Sequence, residues 1–195
     1  SAASDVYKRQ HHTNEIAQSE AYLGHKWCNY WFHILHLNTN SGKMSKSKGE
    51  FLTVSLLESK GYDPLVYRFF CLQSHYRKSL VFTYENLDNA KTAYNKLTAR
   101  IAQLMADKKP DEVVELENFE KFKGSFKAAL DDDINTSNAI TVLYDVLKAD
   151  TNNETKLALI EDFDKVLSLG LIEAAKKLSA DGCLLYTSPS PRDCS

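Results

Sequence analysis

Cysteine is scarce in this chain, and long apolar runs are missing from it. Four cysteines occur in 195 residues, and their wide, irregular spacing is not that of a disulfide framework. A reducing, cytoplasmic location is therefore expected. No window approaches the roughly 18 consecutive apolar residues of a membrane helix, and no stretch has the composition of a signal peptide. The sequence thus predicts no membrane partner.

An excess of one charge is also missing. The chain has 24 lysines and arginines against 26 aspartates and glutamates, a formal net charge of −2. This balance excludes a wholly basic nucleic-acid coat, so that any contact with RNA must use a local patch. Hydrophobic residues make up 43% and aromatic residues 11% of the chain. Because a disordered chain is poorer in both, a folded core is expected.

The two ends of the chain differ in composition from its middle. Residues 5–10 and 183–188 can be encoded by the two strands of one inverted DNA repeat. That repeat matches the end sequence of transposase-based sequencing libraries, and residues 1–4 and 189–195 resemble the attached adapters. We therefore expect residues 1–10 and 183–195 to be translated adapter and residues 11–182 to be a piece of a longer protein. A flexible tail at each end is the alternative.

The apolar pattern becomes helical near residue 53. Before that point, the sequence predicts a helix over residues 11–23, an aromatic strand over 28–37, a turn at 38–42 and a polar loop at 43–49. Cap residues, Pro64 and apolar spacing then predict further helices. These helices are expected at 53–60, 63–72, 83–104, 119–130, 135–147 and 157–167. The predicted fold is mixed but mostly α, a small α/β piece followed by a helical bundle.

The most informative stretch is the string Lys43, Met44, Ser45, Lys46 and Ser47. Two ammonium groups and two hydroxyls on a loop can wrap a polyphosphate. Positive charge there can stabilise a pyrophosphate leaving group as the transition state forms. A generic loop with this lysine spacing is more often a solvated surface. The complete string, however, resembles the KMSKS signature of class I aminoacyl-tRNA synthetases, which implies that all five residues bind ATP and that Lys43 and Lys46 are catalytic.

The flanking segments resemble one family of that class, the cysteinyl-tRNA synthetases. Residues 11–20 are similar to its HHENEIAQSE segment, 29–33 to its NYWMH strand, and 130–136 to its DDDFNT segment. Methionyl- and isoleucyl-type enzymes share the signature string but not the first of these segments. Further similar segments follow in the family's order and spacing at 60–64, 74–77 and 85–87. The resemblance runs through nearly all of residues 11–182.

The resemblance implies a domain organisation. Residues 11–52 would be the C-terminal remnant of a class I Rossmann-type catalytic α/β domain. Residues 53–82 would be a helical linker that contacts the tRNA stem, and residues 83–182 would begin an antiparallel α-helical bundle on the tRNA-binding side. The family's HIGH-type motif and two cysteine zinc ligands would lie before residue 11.

A metal pair is predicted on the first helix. His11 and Glu15 are four residues apart, so their side chains share one helix face, where an imidazole and a carboxylate can ligate one Zn²⁺. By pattern alone, such a pair is more often an exposed helix pair. The resemblance implies instead that both join two cysteines around a zinc that recognises the substrate thiolate. A rival site of Cys28, His33 and His36 is disfavoured, because on a strand His33 would point to the opposite face.

A calcium loop is not expected at the acidic segment near residue 131. Asp131, Asp133 and Asn135 have the spacing of the first EF-hand ligands. Thr136 stands where that loop needs glycine, however, and Val142 stands where it needs glutamate. The acidic residues are expected instead to favour the N-terminus of the helix that follows.

The resemblance implies ATP-dependent activation of cysteine and its transfer to tRNA(Cys). The expected partners are tRNA(Cys), cysteine and ATP with Mg²⁺, in a monomeric enzyme that carries Zn²⁺. Because the HIGH-type motif and half of the zinc ligands are missing, residues 1–195 alone are expected to be inactive. Two alternatives remain: a cysteine-ligating homologue that acts on a small-molecule amine, and a non-catalytic RNA-binding or interaction module.

Overall fold

A computed structural model describes residues 2–35, 37–39, 42–43 and 53–180. Across those ranges the chain forms eight helices and three short strands, which confirms the mostly α prediction. It divides into two compact units, with the boundary between Ile34 and Leu35. No helix in those ranges combines the length and the apolar character of a membrane span.

The first unit contains helix α1, Ala2–Leu23. The helix ends at the predicted place, where Gly24 has a φ of +71° and donates its N–H to the Glu20 carbonyl at 2.9 Å. Its beginning differs from the predicted residue 11. Residues 2–10 contain neither proline nor glycine, so nothing in them breaks the upstream turns.

The predicted strand over residues 28–37 is wrong. Residues 28–35 have no regular secondary structure, and strand β1 covers only Leu37–Thr39. Strand β2, Gly42–Lys43, pairs with β1 antiparallel, and strand β3, Leu80–Phe82, pairs with β1 in parallel. An extended segment becomes a strand only where a neighbouring backbone takes up its hydrogen bonds, and β3 offers three residues in register with β1.

Most predicted helices of the second unit begin at the expected residues, because their caps are local. The side chains of Thr53, Asp63, Thr83 and Asn135 each accept a backbone N–H at the start of a helix. The helices are α2 (Val54–Ser59), α3 (Pro64–Leu72), α4 (Tyr84–Ala106), α5 (Leu116–Asp131), α6 (Thr136–Lys148), α7 (Asn153–Leu167) and α8 (Leu171–Ala180). Helix α8 was not predicted.

The core of the second unit follows the seam predicted on α4. Its apolar residues at the spacing 3-4-3-4-3, Leu87, Ala90, Tyr94, Leu97, Ile101 and Leu104, are all buried. This face packs against α3, α7 and α8, while α5 packs against α6 and α7. Tyr94 also donates its hydroxyl to the Leu169 carbonyl at 2.7 Å, and burial raises the pKa of Tyr94 to about 12. The hydroxyl therefore stays a hydrogen-bond donor that ties α4 to the start of α8.

Candidate functional site

The predicted zinc pair lies on the exposed side of α1. His11 Nε2 and Glu15 Oε1 are 3.4 Å apart, with the two side chains 64% and 40% exposed. The helical spacing therefore places one imidazole and one carboxylate together, as the sequence predicts. Both are donors that zinc accepts, but a zinc site needs four ligands. No group of three or more His, Cys, Asp or Glu side chains suited to a metal occurs among the described residues.

An aromatic stack, formed by His12, Trp31 and His33, lies beside this pair in the first unit. The His12 ring stacks on Trp31 at 4.5 Å and on His33 at 4.8 Å between centroids. Trp27 meets Trp31 edge-on at 5.5 Å. The stack holds the irregular segment 27–33 against α1. Its member on α1 is His12, which directly follows His11. The sequence predicts no role for His12. Its position next to His11, a predicted zinc ligand, is the one feature of the sequence that points to it.

The rival metal site is not assembled by its described members. The Cys28 thiol donates to the Tyr30 carbonyl at 2.7 Å, and His33 belongs to the aromatic stack. His36 lies outside the described residues. Cys28 and His33 are thus engaged in local contacts instead of facing a shared centre.

The signature string begins at the edge of the small sheet. Lys43 is the last residue of β2, with its backbone opposite Asn38 of β1. Met44, Ser45, Lys46 and Ser47 lie outside the described residues. The sheet order β2-β1-β3 makes β2 an outer strand, and the Asn38 side-chain amide donates to Ser79 Oγ at 2.7 Å. Strand β2, which contains the first residue of the signature string, is therefore fixed through β1 to the segment that precedes β3.

A second polar cluster joins the turn at residues 75–77 to the α5–α6 turn. Asp133 accepts the Tyr76 hydroxyl at 2.5 Å and Arg77 Nε at 2.6 Å. His75 Nε2 lies 3.8 Å from the same carboxylate. The hydrogen bonds from Arg77 and then Tyr76 lower the pKa of Asp133, and the carboxylate in turn raises the pKa of Arg77 and of Tyr76. The carboxylate is thus held ionised by two donors, Tyr76 and Arg77, with the His75 ring nearby.

This arrangement gives Asp133 a partner that the sequence does not predict. Asp133 does not cap α6, because its carboxylate turns to residues 75–77. Asn135 is the cap, and its side-chain oxygen accepts the Asn138 N–H at 3.2 Å. Asp131 pairs with Lys127 within α5. The partners of Asp133 lie more than 55 residues away in the sequence. Local residue spacing therefore cannot predict this contact.

A basic groove of about 390 Å³ lies between α4 and α6. It is lined by Ala93, Lys96, Leu97, Arg100, Tyr144, Leu147 and Lys148. Leu97 and Leu147 are buried and form an apolar floor, whereas Lys96, Arg100 and Lys148 are exposed at the rim. Within the described part of the chain, none of the three cations has a carboxylate partner. Such a groove can accept an anion that also carries an apolar or aromatic part.

Two family models match the chain in succession. The model described as tRNA synthetases class I (C) catalytic domain matches residues 4–92, from α1 into α4. The DALR domain model matches residues 125–172, from α5 to the start of α8. The catalytic-domain match therefore precedes the DALR match along the chain.

Named relatives agree with both family models. "Cysteine--tRNA ligase 1" of Burkholderia lata is 40% identical over 165 residues, which cover 84% of this chain and 33% of that protein. "Cysteine--tRNA ligase" of Novosphingobium aromaticivorans is 39% identical over 183 residues, covering 88% and 36%. That of Treponema denticola is 37% identical over 184 residues, covering 85% and 37%. The chain thus spans about a third of the length of these relatives. The two family-model matches and these relatives show that the chain belongs to the cysteinyl-tRNA synthetase family.

Proposed function

We propose that the whole protein is a cysteine–tRNA ligase, which activates cysteine with ATP and transfers it to tRNA(Cys). The observation that carries this proposal is the 37–40% identity to relatives of that name over 84–88% of the chain. The relatives' name, the signature string at residues 43–47 and the His11–Glu15 pair point to one chemistry. The proposed partners are tRNA(Cys), cysteine and ATP with Mg²⁺, and the proposed state is a monomer in the cytoplasm.

We propose the following division of labour along the chain. Residues 11–52 end a Rossmann-type catalytic domain, 53–82 form the linker toward the tRNA stem, and 83–182 begin an antiparallel bundle on the tRNA side. Residues 1–10 and 183–195 derive from a library adapter. The nucleotide read that encodes the chain decides the last point, because codons that do not form the inverted repeat would contradict an adapter origin.

In the proposed mechanism, the main catalytic contribution of this chain is the positive charge of Lys43 and Lys46. Lys43 and Lys46 would bind the ATP phosphates and stabilise the charge that develops on the pyrophosphate leaving group. Met44, Ser45 and Ser47 would complete the ATP-binding loop. His11 and Glu15 would hold Zn²⁺, a Lewis acid that lowers the pKa of a bound thiol and prefers soft sulfur. Serine would be rejected because its hard hydroxyl stays protonated.

Cysteine-dependent exchange of pyrophosphate into ATP tests this function. The whole protein should exchange with cysteine and not with serine, and it should then charge tRNA(Cys). Residues 1–195 alone should stay at background, because two ligands leave the metal site weak and open. Robust exchange by residues 1–195 would contradict this account of what is missing. Exchange without transfer to tRNA would favour the homologue that acts on a small-molecule amine.

We propose the basic groove as a contact surface for tRNA. Its three cations, Lys96, Arg100 and Lys148, have no carboxylate partner among the described residues and lie at the rim of one cleft in a chain of slightly negative charge. Phosphates bind such cations, and the half-buried Tyr144 ring in the same groove gives an unpaired base a stacking surface. A local patch of this kind is how an acidic protein contacts RNA.

Reversing the three groove charges should weaken tRNA binding selectively. The triple variant carries Lys96→Glu, Arg100→Glu and Lys148→Glu. It should bind tRNA at least about tenfold more weakly than the unmodified chain. The slope of log K against log salt concentration should also become shallower by about 2 to 3, because three phosphate contacts are lost. Fluorescence anisotropy at several salt concentrations measures both. The control reverses Lys109, Lys121 and Lys177, which are exposed outside the groove. An equal loss in both triple variants would assign RNA binding to diffuse charge, and an unchanged groove variant would remove the groove from the interface.

A further inference from the structure

We infer that Asp133 is a positioning residue, which reaches from the helical part of the second unit to the strands that present the signature string. This inference rests on the proposed function of that string. The Asp133 carboxylate binds Tyr76 and Arg77 directly. What residues 75–80 then contact determines what Asp133 can position.

Residues 76–82 follow β1 along its length. The Tyr76 carbonyl accepts the Leu35 N–H at 3.1 Å, two residues before β1. Ser79 Oγ accepts the amide of Asn38 at 2.7 Å. Leu80 then opens β3, which pairs with β1 from Leu37 onward. Strand β1 is thus attached to this segment by its own backbone pairing, by one side-chain bond and by one bond upstream.

Strand β1 in turn carries β2. Asn38 lies opposite Lys43, the last residue of β2 and the first residue of the signature string. A continuous series of contacts therefore leads from the Asp133 carboxylate through Tyr76 and β1 to the Lys43 backbone. The contacts in this series are hydrogen bonds and paired strands. Because hydrogen bonds have preferred angles as well as preferred lengths, they restrain both the orientation and the separation of the residues that they join. A shift of the 75–77 turn has to shift the strand that ends at Lys43.

The backbone at Asp133 shows why this residue is placed there. Asp133 and Ile134 have φ angles of +53° and +54°, a left-handed conformation that is unfavourable for a β-branched residue. Such a conformation persists only where the surroundings hold it. Here the Ile134 N–H donates to Leu130 O at 2.9 Å, and the Asn135 N–H donates to Ala129 O at 3.1 Å. The turn projects the Asp133 carboxylate toward residues 75–77.

Glycine would suit this backbone better than aspartate, because it adopts positive φ without steric cost. Glycine has no carboxylate, however, so it cannot bind Tyr76 or Arg77. This difference separates two roles. If the turn only connects α5 to α6, Asp133→Gly should be neutral or stabilising. If Asp133 positions the strands, the same change should loosen them although it relaxes the backbone.

Hydrogen exchange on residues 1–195 tests the linkage without any activity. Asp133→Gly and Asp133→Ala should each speed amide exchange of Leu35 and of β1 by about tenfold or more, because charge-assisted hydrogen bonds are lost. Asp133→Asn keeps an acceptor for the Tyr76 hydroxyl and tolerates positive φ, so it should restore part of the protection. The matched control is Asp131→Ala, which breaks a pair within α5 only and should leave Leu35 unchanged. Unchanged protection in Asp133→Gly would overturn the linkage.

Kinetics of the whole protein then test positioning. Asp133→Gly should lower kcat of cysteine-dependent pyrophosphate exchange by about 10- to 100-fold, the range for misplaced catalytic groups, with the KM for cysteine unchanged and partial recovery in Asp133→Asn. Faster hydrogen exchange without a fall in kcat would leave Asp133 a structural brace and overturn its positioning role. If the unmodified protein shows no pyrophosphate exchange, the proposed function fails, while the hydrogen-exchange result still decides the linkage.

Discussion

Replacing Lys46 by alanine in the whole protein should lower the rate constant for cysteinyl-adenylate formation by about 100-fold or more, comparable to the loss of one preorganised donor. Charge that faces a developing pyrophosphate binds the transition state more strongly than the ground state. The KM for cysteine should change little, because in the proposed site the thiol is recognised by zinc. Single-turnover formation of the adenylate, measured at saturating ATP and cysteine, gives the rate constant directly.

The neighbouring lysine offers a matched control for Lys46. Lys48 lies one residue beyond the signature string, so Lys48→Ala removes the same charge from the same stretch of sequence without touching the string. A clearly smaller effect of Lys48→Ala would assign the effect to the position of Lys46 rather than to the net charge of the loop. An increase in the KM for cysteine alone, with adenylate formation unchanged, would mean that Lys46 has a different role.

Local chemistry explains which parts of the fold the sequence predicts. Thr53, Asp63 and Thr83 each cap the helix that follows by accepting an N–H two or three residues ahead. Pro64 begins α3 because its fixed φ suits the first turn. The α4 seam is confirmed as buried because a 3-4 spacing places its members on one face. Each of these features is decided within a few residues of the chain, so that no knowledge of the fold is needed.

Features that depend on distant partners escaped prediction. The aromatic composition of residues 28–37 favours a strand, but pairing is available only to Leu37–Thr39, where β3 is in register. Trp31 and His33 of this segment stack on His12 of α1 instead. Helix α8 is not among the predicted helices; Leu171 and Ala175 form its buried face by packing on the rest of the unit. Tertiary contacts override local preference in these cases.

In the candidate site, too, local features are predicted from the sequence and contacts between distant segments are not. The spacing of His11 and Glu15 predicts a shared helix face, and the structure places the two side chains 3.4 Å apart. Periodicity gives no sign of Asp133 binding residues 76 and 77, or of the groove between α4 and α6, because each joins segments that are far apart in sequence. The identity of a zinc ligand cannot follow from spacing alone either, since an exposed ion pair has the same spacing.

Glu15→Ala in the whole protein should reduce zinc retention and cysteine selectivity together. As a proposed zinc ligand, Glu15 closes one side of the metal, and its loss opens the metal to water and weakens its hold on the thiolate. We expect zinc affinity to fall by at least about tenfold, since even outer contacts of a metal site are worth 10- to 100-fold. Metal content by atomic emission, together with the ratio of cysteine-dependent to serine-dependent pyrophosphate exchange, measures both effects.

An exposed helix carboxylate makes a different prediction. The His11–Glu15 contact lies on the surface of α1, where a pair four residues apart is worth at most about 0.5 kcal/mol. Glu15→Ala would then change the free energy of unfolding by no more than that and leave the metal untouched. Glu20→Ala is the matched control, because it removes the same charge from the same helix, where Glu20 accepts the Trp27 N–H at 3.3 Å. If Glu15→Ala retains full zinc stoichiometry and normal cysteine selectivity, as Glu20→Ala should, then Glu15 is a surface residue and the zinc site must be built from other ligands.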